Sequence, residues 1–199
     1  DIPKHRFYGR RKGRPLRATR QSLLDTMLPD LQRVETAARH LLVLVSDVLD
    51  LSKIEAGRMQ LTREPVNFGH IVRSSARLFE PNAKAKGIRL DIDVPPDMPE
   101  GIGDKLRIRQ IVLNLVGNAI KFTDTGGVLI DLFSPSNSET VCIDIVDSGP
   151  GLSEDAQSRL FSAFEQAESR HRGIDGGVGL GLTIVKRLVD AMGGEIILT

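Results

Sequence analysis

Apolar positions recur with a helical period over residues 21–56. Leu31, Val34, Ala38, Leu41, Val45 and Val48 follow one another at spacings of 3, 4, 3, 4 and 3, which is a heptad seam. Leu42, Leu44 and Leu49 widen the apolar surface beyond a two-helix stripe. Such a helix needs partners on more than one side, so a bundle formed between chains is expected. Pro29 marks either a helix start or a break between two helices, and Gly57 is the expected stop.

Past Gly57 the period switches repeatedly. Residues 59–62 predict a short strand. Residues 66–86 predict a helix with Ile71, Val72, Ala76, Leu78 and Phe79 on its apolar side and Gly87 as its stop. Clean alternation over 88–94 predicts a strand with one buried and one wet face, ended by Pro95, Pro96 and Pro99. Asp104 is a suitable N-cap for the next helix. Gly126 and Gly127 lead into a strand over 128–133, a turn at 135–138 makes a hairpin, and a second strand covers 141–146. Helices are expected over 153–164 and 180–192, with a strand-like run at 195–199. Helices interleave with strands while the hairpin demands antiparallel pairing. The expected fold class is therefore α+β: a long helix, then a two-layer sandwich with helices on one face of a mixed sheet.

Composition narrows the options. The hydrophobic share is 40%, but aromatics make up only 4% and tryptophan is absent, so the core must be aliphatic. Lys and Arg number 27 against 26 Asp and Glu, and this balance gives no overall attraction for nucleic acid. The single cysteine, Cys142, excludes an internal disulfide and a cysteine-only metal site. It suits a reducing compartment and sits in a strand-like run as a small packing residue. No run approaches the roughly eighteen apolar residues of a membrane span. The chain starts without methionine and ends inside a strand-like run, as a piece cut from a longer protein would. Residues 1–20 stand apart: Lys4, Arg6, Arg10, Arg11, Lys12, Arg14, Arg17 and Arg20 face only Asp1. That segment reads as a solvated tail, with binding to acidic partners as the other reading.

Candidate chemistry gathers in three stretches. On a helix, Asn114, Asn118 and Lys121 fall at i, i+4 and i+7 and share one face. Two carboxamides and an ammonium make a poor core face. They suit a polyphosphate, since a carboxamide oxygen is a hard ligand for Mg²⁺ and lysine is a compact phosphate-seeking charge. A merely solvated polar face is the other reading. Asp147-Ser148-Gly149-Pro150-Gly151 follows a strand directly. A carboxylate there can accept from the exocyclic amine of adenine, and the glycines let backbone approach a flat ring; an ordinary turn is the alternative. Gly176-Gly177-Val178-Gly179-Leu180-Gly181 opens a helix, where free N–H groups bind phosphate. No strand precedes it as in a dinucleotide fingerprint, and no Gly-Lys-Ser/Thr follows as in a Walker loop. Between the two glycine segments, residues 165–175 are polar and glycine-punctuated, the composition of a lid.

These stretches resemble the sequence boxes of sensor histidine kinases, simple or hybrid. Residues 114–123 look like the asparagine box, 147–151 the first glycine box, Leu160-Phe161-Ser162-Ala163-Phe164 the phenylalanine box, and 177–181 the second glycine box. Residues 49–58 are similar to the end of the family's dimerisation helix. The likeness runs from about residue 21 to 199. Beyond the basic segment over 1–20, it implies a partial dimerisation and phosphotransfer segment over 21–57 and an ATP-binding domain of the GHKL type over 58–199. It also implies a homodimer through the 31–52 helix, a response-regulator receiver domain as partner, and a cytoplasmic location, alone or as part of a membrane-anchored sensor. By the same analogy Asn118 ligates Mg²⁺, Asn114 and Lys121 face the phosphates of ATP and act in catalysis, and Asp147, Gly149 and Gly151 meet adenine. Phe164, Gly177, Gly179, Leu180 and Gly181 complete the nucleotide site.

The chain departs from the family in two ways. The phosphoacceptor motif, a histidine followed by an acid and later by Arg-Thr-Pro-Leu, has no counterpart. Gly13-Arg14-Pro15-Leu16 is its nearest trace; His5 stands ten residues before the proline and is followed by Arg6, and His40 lacks both acid and proline. The family's last glycine element and final strand are not reached. Two further readings stay open: a degenerate core acting as a nucleotide-binding dimer scaffold, and a GHKL-type ATPase. Gyrase-type and Hsp90-type ATPases resemble one another in placing glutamate where this chain has Asn114.

Overall fold

The computed structural model describes residues 16–136, 138–161 and 179–199; for residues 16–24, 26 and 40 it describes the backbone alone. Phe164, Gly177 and the whole 165–175 segment lie outside the described residues. The chain divides into two units, residues 1–45 and 46–199.

Helix α1 is Leu16–Glu55 and runs through Pro29 without a break. An interior proline loses its N–H bond and crowds the carbonyl four residues back, at a cost of about 3 kcal/mol, which this long helix absorbs. The seam is present as an exposed stripe: Leu31, Val34, Leu41 and Val45 are 61%, 66%, 62% and 49% exposed. Nothing among the described residues covers it.

The second unit begins with the last turns of α1, where Asp50 and Leu51 become buried. Gly57 follows at φ 62, as a helix stop requires. The short strand expected over 59–62 is not there; strand β1 is Glu64–Val66, paired antiparallel with β3, Gly101–Gly103. The Thr62 N–H is instead taken by a carboxylate oxygen of Asp104 at 3.0 Å, a side-chain partner that local pattern does not reveal. The helix expected over 66–86 is two helices, α2 (Phe68–Ala76) and α3 (Glu80–Lys86), joined by a 3-10 turn. Pro81 stands in the first turn of α3, where its missing N–H costs nothing.

Strand β2 is Arg89–Asp93, helix α4 Lys105–Phe122, strand β4 Gly127–Phe133 and strand β5 Cys142–Asp147. The main sheet has the order β2-β4-β5, parallel between β2 and β4 and antiparallel in the β4–β5 hairpin. Its inner face, with Val128, Ile130 and Leu132 fully buried, packs on Val72, Ala76, Ala83, Val112, Val116 and Ala119 from α2, α3 and α4. Its outer face exposes Asp91, Asp93, Leu129, Asp144 and Val146. Helix α5 is Glu154–Arg159, with Ser153 as its N-cap, and α6 is Gly181–Ala191. Residues 194–199 form no strand, since a strand exists only where a ladder partner meets its N–H and C=O groups. The result is an α+β two-layer sandwich with α4 at its centre: α4 packs on β4 and β5 of the sheet and is flanked by α2 and α6.

Candidate functional site

Helix α4 is held at its start, along its length and at its end. Asp104 caps it: one carboxylate oxygen accepts from the N–H groups of Leu106 and Arg107, each at 3.0 Å, and the other from Thr62. Burial opposes the charge on Asp104, but these amide bonds outweigh it and hold the carboxyl below its usual range. Arg107 makes a two-point bond to Asp50 at the end of α1, Nη1 to Oδ2 at 2.6 Å and Nη2 to Oδ1 at 3.2 Å. Gln110 joins both, accepting from Arg107 at 2.8 Å and donating to Asp50 at 3.2 Å. Below this network Leu51 packs with Ile111, Leu180, Ile184 and Leu188. The end of α1 therefore rests on α4 and on the first turns of α6.

The buried stripe of α4 is Ile108, Ile111, Val112, Val116, Ala119 and Ile120. That leaves Asn114, Asn118 and Lys121 half-buried on a shared face. The structure brings the first of them against the second glycine segment. A Cβ placed on Gly181 would lie 3.2 Å from the Asn114 Oδ1, so glycine lets α6 begin this close to the carboxamide without displacing it. Gly179 adopts φ 76 and Leu180 beside it is buried. In the first turn of α6 the Thr183 hydroxyl is buried with no partner among the described residues.

The C-terminal end of α4 meets the first glycine segment. Asp147 ends β5, and its Oδ1 accepts from the Gly149 N–H at 2.8 Å, which shapes the turn. A Cβ on Gly149 would fall 3.1 Å from the Phe122 carbonyl oxygen, so glycine allows the turn to lie on the last residue of the helix. Ser148 Oγ accepts from the Gly127 N–H at 2.9 Å and lies 2.8 Å from the Thr125 carbonyl. Gly126, at φ 90, leaves the room that this serine fills. Gly151 has φ 67 with no atom near its missing side chain. Lys121 Nζ stands 5.0 Å from the centre of the Phe122 ring, in cation–π range.

Three stretches far apart in sequence thus meet on one helix: the asparagine face, the Asp147–Gly151 turn and the Gly179–Gly181 start of α6. Sequence reasoning missed the residues that brace it. Asp50, set between Leu49 and Leu51 at the helix end, was the available signal for the Arg107 network. Ser148 gave none, because a turn serine is ordinary. Among the described residues no group of three or more His, Cys, Asp or Glu could hold a metal ion. The Asn114 and Asn118 carboxamides fit, as donors, a Mg²⁺ that would keep waters and phosphate oxygens and take few protein ligands.

Residues 103–199 match the family described as histidine kinase-, DNA gyrase B-, and HSP90-like ATPase. Over 178 residues the chain is 40% identical to the signal transduction histidine-protein kinase BarA of Escherichia coli, covering 87% of this chain and 19% of BarA. To the sensor protein GacS of Pseudomonas syringae it is 41% identical over 82% of this chain and 18% of GacS. Among solved structures, ShkA in complex with AMPPNP is similar at 42% identity and a TM-score of 0.67, over 77% of this chain and 31% of ShkA. The chain spans about a fifth of the length of the curated relatives it matches. Residues 103–199 therefore carry the ATPase domain of this family, and over most of its length the chain is a homologue of sensor histidine kinases.

Proposed function

We propose that this chain is the ATP-binding catalytic core of a two-component sensor histidine kinase, which moves the γ-phosphoryl group of ATP to a histidine and then to a response-regulator aspartate. The observation that carries the reading is the convergence on α4: Asn114 against Gly181 at mid-helix, Phe122 against Gly149 at the C-terminal end. Asp147 reads the exocyclic amine of adenine, with Gly149 and Gly151 letting backbone approach the ring. Gly179, Leu180 and Gly181 offer N–H groups to the phosphates at the N-terminus of α6. Asn118 takes the Mg²⁺, and Asn114 and Lys121 face the phosphates. Bound Mg²⁺ would neutralise charge on the β- and γ-oxygens. Gly177 belongs to the same phosphate cradle and Phe164 to the rim of the site.

In the transfer an imidazole nitrogen attacks the γ-phosphorus, the bond to the bridging oxygen breaks, and ADP leaves while the imidazole proton passes to a base. Asn114 cannot act as a base toward water, which favours transfer to protein over hydrolysis. His5 and His40 each lack the following acid, so neither is proposed as the acceptor. The missing motif favours a second reading, a nucleotide-binding dimer scaffold without transfer. Acid-labile phosphate on protein supports transfer, free phosphate supports an ATPase, and binding with neither supports the scaffold. In cells the core would act in the cytoplasm as a homodimer through the 31–52 stripe, with a receiver domain as its partner.

The site is tested directly by substitution. Asn118→Ala and Asp147→Ala should each abolish binding of a fluorescent ATP analogue while circular dichroism stays unchanged. Wild-type affinity in both variants would remove the assignment.

A further inference from the structure

Helix α4 ends without a cap of its own. Thr123 follows the last turn at φ −88 and ψ 118, which is extended, so no left-handed residue folds back onto the final carbonyls as helix ends commonly require. The Thr123 N–H satisfies Ala119 O at 3.0 Å. The next carbonyls are met from another element. Lys86 Nζ, at the end of α3, donates to Ile120 O at 2.9 Å, Lys121 O at 2.8 Å and Thr123 O at 2.9 Å. An ammonium has three N–H donors, and all three are used. The positive charge also sits at the negative end of the α4 dipole.

Gly87, at φ 70, closes α3 with its N–H on Ala83 and Lys84, one residue from Lys86. Asp124 Oδ1 lies 3.6 Å from the ammonium, but that carboxylate is 64% exposed, and exposed pairs of this kind contribute little. The three carbonyls are therefore what the ammonium serves. The turn they belong to carries Lys121, with Asn118 one turn earlier, and Phe122 O is the surface on which Gly149 lies.

We propose that Lys86 is a positioning residue for nucleotide binding: it caps the C-terminus of α4 and so holds Asn118, Lys121 and the Asp147–Gly151 turn in register for ATP. This rests on the reading of these residues as the nucleotide site. Without the ammonium, Ile120 O and Lys121 O lose their partners, the last turn of α4 frays, and the groups facing the phosphates disperse.

The test uses the full chain and ATP with Mg²⁺, titrated by calorimetry, together with amide hydrogen exchange. Lys86→Met keeps the aliphatic stem and removes the donors. It should weaken ATP at least about fivefold, the scale of losing charge-assisted bonds to backbone, and speed exchange at residues 120–123 while residues 105–112 stay protected. Lys86→Arg should recover most of the affinity. Asp124→Asn should bind ATP within about twofold of wild type, because the carbonyls and not the ion pair do the holding. If Lys86→Met does not fold, Lys86→Gln is read by the same criteria. Wild-type affinity in the lysine variant, or a lost affinity with unchanged exchange at 120–123, overturns the positioning role. An equal loss in Asp124→Asn also overturns it, in favour of the ion pair. A wild-type chain that binds no ATP overturns the nucleotide reading itself, a different outcome from a wild type that binds and a Lys86 variant that binds equally well.

Discussion

Asp104 does two jobs with one carboxylate. It closes the first turn of α4 and reaches back to Thr62, tying the segment after α1 to the helix that carries the site. Burial disfavours its charge, yet the amide bonds win and depress its pKa in the folded chain. The unfolded chain therefore binds more protons in the window between the two values, and stability rises with pH across it. The stabilisation is complete above the ordinary aspartate pKa and is lost as pH falls through the depressed one. Asp104→Asn keeps a capping side chain but removes the charge. It should cost about 1 kcal/mol near pH 7, and urea unfolding should show the gap to wild type narrowing as pH falls below the ordinary aspartate pKa. A gap that is constant with pH would mean the carboxylate charge is irrelevant.

The stripe on α1 belongs to the element scale. Leu31, Val34, Leu41 and Val45 are all about half exposed or more, and an unpartnered stripe of this length is out of keeping with an isolated helix in water. A second copy of the same stripe is the partner we propose. Leu41→Lys with Val45→Lys would place charge where the partner would bury it, so the double variant should be a monomer under conditions where wild type is a dimer. Light scattering at tens of micromolar decides this. A monomeric wild type would reduce the seam to a helix face with another use. The stripe was legible because a seam is a local periodicity. The continuation through Pro29 was not, because breaking and bending look alike in sequence.

Across the residues 46–199 unit, the end of α1, α4 and α6 are locked by one polar network over one apolar cluster. Asp50 and Arg107 have side chains only 8% and 17% exposed. Removing one partner leaves the other buried and unpaired, which costs far more than the pair is worth. Asp50→Leu should therefore destabilise this unit by about 3 kcal/mol, whereas Asp50→Leu combined with Arg107→Met should recover a large part of it. Chemical denaturation of the two variants and the wild type checks this. Equal losses in the single and double variants would show that Leu51 and its apolar neighbours carry the junction alone.

How far sequence reached follows from the range of the interactions involved. Periodicity, caps and glycines act within a few residues, so the alternating strands, the Asp104 cap, the helical placement of Asn114, Asn118 and Lys121, and the three chemical stretches could be read along the chain. Only the tertiary structure decided that the Asp147 turn lies on Phe122, that α6 begins against Asn114, and that Lys86 and Asp50 brace α4 from elements 34 and 57 residues away. It also moved the first strand to Glu64–Val66 and divided the helix at Arg77–Phe79. Those outcomes depend on which N–H and C=O groups find partners across the fold. A residue's own neighbours in sequence carry no record of a partner dozens of positions distant, because pairing of that kind is settled by packing and not by local pattern.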